Sequence, residues 1–120
     1  MIQVRRGEIY YADLNRNSVE GSSVQRGLRP VVVVQNDVGN RHSPTTIVVP
    51  LTSKHKRNHL PTHVQILADK ENGLRLDSVA LSEQVQPIDK TCLGEKLGII
   101  RDMNRIDNAL SVSIGLAPVG

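Results

Sequence analysis

A chain of 120 residues with 15 Lys and Arg against 12 Asp and Glu is sized for one domain, residues 1–120, around a modest core. No apolar run approaches the ~18 residues of a membrane helix, and Arg5 and Arg6 have no apolar segment behind them, so a soluble, cytoplasmic protein with no export signal and no membrane partner is expected. The lone Cys92 excludes an internal disulfide and reads as a small buried or half-buried hydrophobe, while two tyrosines with no Phe or Trp argue against a surface of several stacked rings.

Glu8 to Leu14 reads as a first strand, ended by the Asp13-Leu14-Asn15 turn signal. Asn15 to Gly27 (NRNSVEGSSVQRG) is polar and predicts a long mobile loop, either a functional loop or simple disorder. In GLRPVVVVQND, Pro30 cannot donate to a ladder and belongs at the first residue or edge of a Val31 to Gln35 strand. It pushes Arg29 into extended backbone, and period two then puts Arg29 on the face of Val31, Val33 and Gln35. Asn36-Asp37 with Gly39-Asn40 predicts a turn. Thr45 to Thr52 is a third strand interrupted only by Pro50, followed by the basic loop SKHKRNHLP, a fourth strand Thr62 to Leu67 and a turn ending at Gly73.

Ser78 to Gln86 alternates as one strand, in which Glu83 is either solvated or buried with a cationic partner. Asp89 to Leu93 predicts one helical turn closed by Gly94, and Leu97 to Ile100 a last short strand. Asp102 suits an N-cap for a helix on which Met103, Ile106, Leu110 and Ile114 recur at helical spacing, stopped by Gly115 and Pro118. The class is mainly β with helices (α+β): a small antiparallel barrel covered by a C-terminal helix.

Charge is uneven along the chain. Between Val38 and Ala68 there is no acidic residue, while Arg41, Lys54, Lys56, Arg57 and all four histidines fall there. Such a patch suits a polyanion, and it is also what a solvated basic loop looks like. His55, His59 and His63 have the i, i+4, i+8 spacing of ligands on one helix face, but Pro61 breaks that helix, so solvated loop histidines are expected and no metal or other cofactor. Gly21 and Gly27 lack the spacing of a phosphate-binding loop. What remains is Arg29 at the mouth of one strand and Thr52 and Ser53 at the end of another, beside the loops Asn15 to Gly27 and Lys54 to His59. If these strand ends meet, a guanidinium, a hydroxyl and cations converge; on spacing alone, Arg29 fits a surface ion pair equally well.

RRGEIYYADL (Arg5 to Leu14), GLRPVVVVQND, GNRHSPTTIVVPLTS (Gly39 to Ser53), LPTHVQI (Leu60 to Ile66), DSVALSEQVQPIDK (Asp77 to Lys90) and IDNALSVSIGL (Ile106 to Leu116) resemble, in family order, the MazF/PemK toxins of type II toxin-antitoxin modules. The resemblance implies an SH3-like barrel of the PemK/CcdB type that works as a homodimer, is blocked by a MazE-like antitoxin, and cleaves single-stranded RNA (mRNA) without a metal, leaving 2′,3′-cyclic phosphate and 5′-OH ends. It implies Arg29 and Thr52 as the catalytic pair. Ser22, Ser23, Gln25, Asn36, Ser53, Glu83 and Gln84 are then implied substrate contacts, with Lys54, Lys56 and Arg57 serving phosphates nonspecifically. Many relatives carry a GSEQGG-like loop; this chain has GSSVQRG, without the Glu, which leaves the proton acceptor and the cleavage sequence open, with Arg26 adding charge. Two other functions compete: a nucleic-acid-binding barrel without catalysis, and a gyrase poison of the CcdB type, whose C-terminal Trp this chain lacks.

Overall fold

A computed structural model describes residues 3–15, 27–54 and 60–119. Within them one antiparallel sheet is built from β1 (Glu8–Asp13), β2 (Leu28–Val33), β3 (Thr45–Thr52), β4 (His63–Ile66), β5 (Ser78–Leu81), β6 (Gln86–Asp89) and β7 (Leu93–Ile99). The strand order is β4, β5, β3, β2, β1, β7, and β6 joins β3 on the edge that β5 also uses. Two helices complete the fold, α1 (Asp37–His42) and α2 (Asn104–Ser113). The expected α+β class is what is found, and the sheet is open: no pairing joins β4 to β7 among the described residues.

The valine run explains the layering. Val31 and Val33 pack with Tyr10, Ala12, Leu14, Val48, Ile88 and Leu93 on one face, while Val32 and Val34 pack with Ile9, Val49, Leu51, Met103, Ile106 and Ala109 on the other. A strand buried on both faces needs apolar residues at every position, which is why this segment does not alternate. Each valine so buried is worth roughly 1.5–3 kcal/mol against leaving it in water. The helix α2 covers the second of these faces with Met103, Ile106 and Ala109, at the helical spacing expected. Its N-cap is Met103 rather than the expected Asp102, whose carboxylate accepts from the Asn104 N–H at 3.0 Å just ahead of the helix. Ile114 does not share in the burial, because the helix ends at Ser113 and Ile114 lies past the last buried turn, 63% exposed. Cys92 is half-buried against the first face.

Three elements differ from the sequence reading. The Asn36–Asn40 turn is the start of α1: the Asn36 side-chain oxygen accepts from the Gly39 N–H at 2.8 Å, a cap that lets the turn continue into a helix. Ser78 to Gln86 is not one strand. β3 pairs with β6 over Thr45–Val48 and with β5 over Leu51–Thr52, and a 3-10 turn (Ser82–Gln84) carries the chain across the gap. Pro50 stands in that gap of β3, where a missing donor costs least. The last strand starts at Leu93 rather than Leu97; it is an edge strand with Glu95 and Lys96 exposed, so it carries no apolar alternation to read.

Across that edge lies a buried polar cluster. The Glu8 carboxylate, 5% exposed, accepts from the Arg5 N–H at 2.7 Å, the Tyr10 hydroxyl at 2.9 Å and the Lys96 ammonium at 2.5 Å. Burial alone would raise the Glu8 pKa, but the hydrogen bonds from Lys96, the Arg5 backbone and Tyr10 outweigh it and hold the carboxyl below its ordinary 4.5. Burial and the neighbouring carboxylate push the Tyr10 phenol up. A lowered folded-state value makes a contribution that is complete above the unfolded value and lost as pH falls through the folded one. Glu8→Gln is therefore expected to cost about 2 kcal/mol near neutral pH and to flatten the stability loss between about pH 5 and 3, measured by urea melts; an unchanged acid slope would refute the assignment.

Candidate nucleic-acid interface

The start of β2 and the end of β3 meet at one margin of the sheet. Pro30 opposes Tyr11 and Arg29 opposes Ala12 across the β1–β2 ladder, so the proline lies within the strand and holds Arg29 extended before it. On the other side, β2 pairs Val33 with Val48, Val32 with Val49 and Val31 with Pro50. Carried two residues further, this register sets Arg29 across from Thr52, on the face of Val31, Val33 and Val48. Directly opposed residues on one face have Cβ atoms roughly 5 Å apart. Thr52 is 7% exposed, and its hydroxyl oxygen accepts from the Lys54 N–H at 3.2 Å, which turns the chain out of the strand.

A groove of about 480 Å³ opens at this margin. Arg29 and Ser53 line it, with Tyr11 and Pro30 from the paired strands, Leu97 from β7, Ser78 from the start of β5, and Leu74, Arg75 and Leu76 from the loop before β5. Thr52 is not part of its wall. Lys54 follows Ser53 and is exposed. The described residues that line it include Arg29 and Arg75 and no acidic residue. Asp77, next in the chain, turns instead to accept from the Ala68 N–H at 2.8 Å.

The other expected contacts distribute unevenly. Ser22, Ser23 and Gln25 lie outside the described residues, as do Lys56, Arg57, His55 and His59. The chain departs for the first of these segments at Asn15 and returns at Gly27, which is bonded back to it: the Gly27 N–H donates to the Asn15 side chain at 2.9 Å and the Leu14 N–H to the Gly27 carbonyl at 3.0 Å. Both ends of that segment are thus two residues or fewer from the strands that carry Tyr11 and Arg29. Asn36 is not at this margin; it caps α1 past the far end of β2, roughly 20 Å along the strand from Arg29. Glu83 and Gln84 sit on the 3-10 turn past the end of β5 opposite to Ser78. Glu83 is exposed and accepts from the Thr62 hydroxyl at 2.8 Å, with His63 Nε2 at 3.2 Å.

Sequence reasoning missed Arg75. Its placement is long-range and left no local signal, because it follows from how residues 67–77 lie on β7. Asn72, 3% exposed, organises this segment: its side-chain oxygen accepts from the Asp69 and Leu74 N–H groups, and its amide donates to the Leu67 carbonyl at 2.8 Å. The Ile99 N–H donates to the Glu71 carbonyl at 2.9 Å. The approach is close enough that a Cβ on Gly98 would stand 2.1 Å from the Glu71 carbonyl oxygen, and one on Gly73 (φ +68°) 2.0 Å from that of Leu97.

Residues 5–114 match the family described as PemK-like, MazF-like toxin of type II toxin-antitoxin system. The chain belongs to this family. It is 48% identical over 115 residues, spanning 94% of this chain and 96% of the relative, to Endoribonuclease EndoA of Bacillus subtilis (strain 168). Among solved structures it is similar to an endoribonuclease in complex with its cognate antitoxin from Mycobacterial species, with a TM-score of 0.73 at 27% identity over 96% of this chain and 98% of that one. The MazF of Deinococcus radiodurans, at 18% identity and a TM-score of 0.78 over 96% and 99% of the two chains, shares the fold. No helix among the described residues is long and apolar enough to cross a membrane.

Gly98→Ala is expected to destabilise the protein by about 3 kcal/mol, since the obstructing atoms are backbone and cannot rotate away. Thermal melts would show it, and a loss under about 0.5 kcal/mol would mean that the segment is not held against β7 as described.

Proposed function

We propose that this chain is the toxin endoribonuclease of a toxin-antitoxin pair, a metal-independent enzyme that cuts single-stranded mRNA in the cytoplasm at specific sequences and so arrests translation and growth. The observation that carries the reading is the β2–β3 register, which leads Arg29 and Thr52 toward one another on one face at the sheet margin in a chain 48% identical to an endoribonuclease. The ribose 2′-oxygen attacks the adjacent phosphorus, the new O–P bond closes the 2′,3′-cyclic phosphate, and the bond to the 5′-oxygen breaks. The 2′-hydroxyl proton is given up and the leaving 5′-oxygen gains one, so the ends are a cyclic phosphate and a 5′-OH.

Negative charge grows on the non-bridging oxygens during this step. Arg29, on extended backbone in a rigid sheet, clamps that charge with two parallel N–H donors. A guanidinium with a pKa above ~12 is a poor proton acceptor at neutral pH, so Arg29 acts as an electrostatic stabiliser and not as the base. Thr52 hydrogen-bonds the phosphate or orients the 2′-hydroxyl. Ser53 and Lys54 contact the strand beside it, and Ser22, Ser23, Gln25, Lys56 and Arg57 lie on the segments expected to frame it. Glu83 and Gln84, further off, read bases if the RNA runs along β5. The active form is a homodimer that covers exposed apolar residues such as Ile114 and Leu116 at the end of α2. A MazE-like antitoxin with an acidic, disordered segment occupies the groove and shuts out RNA.

Single-stranded RNA incubated with the protein in EDTA is expected to be cut, with 5′-OH ends whose sequencing reads out the recognised bases. Arg29→Ala should lower kcat/KM by about a hundredfold or more while leaving the melting temperature unchanged, on the scale of one lost transition-state donor; near-wild-type cutting by the folded variant would sink the mechanism. Addition of the neighbouring gene's product should abolish cutting, and undiminished cutting in the bound complex would remove the antitoxin from the scheme.

A further inference from the structure

We propose that His63 and Thr62 are positioning residues that hold the Glu83 carboxylate as a fixed acceptor for a base bearing an exocyclic amino group, which selects cytosine, adenine or guanine over uracil at one position of the RNA. This rests on the reading that the chain cuts single-stranded RNA. Glu83 stands on the 3-10 turn just past the end of β5, roughly 10 Å along the chain from Val79, the residue paired with Thr52. A strand whose scissile phosphate lies at Thr52 is therefore within reach of Glu83 a short way along the RNA. The two carboxylate oxygens are held separately: Oε1 accepts from the Thr62 hydroxyl at 2.8 Å, and Oε2 lies 3.2 Å from His63 Nε2.

The direction of the second bond follows from the other ring nitrogen. The Leu60 N–H donates to His63 Nδ1 at 3.2 Å, so Nδ1 accepts, the ring proton sits on Nε2, and Nε2–H donates to the carboxylate. The backbone under this cluster is fixed on both sides: His63 pairs with Leu81 across β4 and β5, the His63 N–H donates to the Leu60 carbonyl at 2.9 Å, and the Ser82 N–H donates to the Thr62 carbonyl at 3.1 Å. The His63 side chain is 15% exposed and that of Glu83 31%, so the holder is largely covered while the carboxylate meets solvent. Each carboxylate oxygen has about two lone-pair sites and gives one to its holder, which leaves acceptors of set direction. The amino groups of cytosine, adenine and guanine can donate to them, whereas uracil carries carbonyl oxygens in their place, which repel a carboxylate. A free glutamate would swing away from uracil; one held at both oxygens cannot. A carboxylate beside phosphates gains no affinity from charge, so Glu83 acts on the choice of base.

The test reads cut sites from a pool of single-stranded RNA of random sequence, using the full chain and its folded variants. Wild type should disfavour uracil at one position by about tenfold in kcat/KM, and Glu83→Ala should abolish the preference at that position alone. His63→Ala and Thr62→Val should each relax the same position by about threefold or more, whereas His63→Gln, whose amide N–H can replace Nε2–H, should keep it. In a Glu83→Ala background His63→Ala should change the preference no further, since the histidine acts through the carboxylate. A folded His63→Ala protein with the wild-type preference, or with an equal loss on all sequences, would overturn the positioning role while the RNA reading stands. An unaltered preference in Glu83→Ala would do the same. Should His63→Ala fail to fold, Thr62→Val decides, and an unchanged preference in it refutes the proposal. A wild-type protein that cuts no RNA would overturn both readings.

Discussion

Everything at the groove depends on the register of β2 against β3. A slip of one residue would turn Arg29 and Thr52 to opposite faces of the sheet. The valines that dominate these strands are poorly suited to prevent this, since they are apolar on both faces and one valine fits where the next one did. The lock lies at the far end of the strands. The Val34 and Gln35 N–H groups donate to the Ile47 carbonyl at 2.9 and 3.2 Å, the Gln35 side chain donates to the Thr45 carbonyl at 3.1 Å, and the buried Asn40 accepts from the Thr46 hydroxyl at 2.7 Å. These bonds are specific to one alignment, and a slip would leave several buried polar groups unpaired at about 1–3 kcal/mol each.

This division of labour gives Asn36 and α1 a clear place. Asn36 caps α1, α1 holds Asn40, and Asn40 ties β2 to β3; the Lys90 ammonium donates to the Asn40 carbonyl and brings the end of β6 into the same cluster. Asn36 thus serves, from beyond the other end of β2, the alignment that sets Arg29 across from Thr52. The polar cluster around Glu8 performs the equivalent task for β1 and β7, joining a buried carboxylate to Lys96 across the ladder.

The electrostatics follow the same economy. Glu8, Asp37, Glu71, Asp77 and Asp107 each accept from donors within the protein, so these acids are tied into the scaffold. A chain with a net charge of only +3 can in this way have both Arg29 and Arg75 among the described residues that line one groove.

Much of this was legible in the chain itself, and for local reasons. Thr45–Thr52 was readable as a strand to the residue because its β-branched run is bounded by Ser43-Pro44 and by polar SKHKRN; α2 was readable because Met103, Ile106 and Leu110 recur on one face; and Pro30 announced an extended Arg29. The motifs around Arg29 and Thr52 also marked the family. Tertiary structure alone decided that 78–86 would break to serve two stretches of β3, that an edge strand with exposed Glu95 and Lys96 would pair with β1, that Asn36 would belong to the alignment, and that Arg75 would reach the groove. The reason is one of range: propensity and periodicity act over a few residues, whereas these outcomes are set by contacts between segments tens of residues apart, and a single sequence carries no pattern that records them.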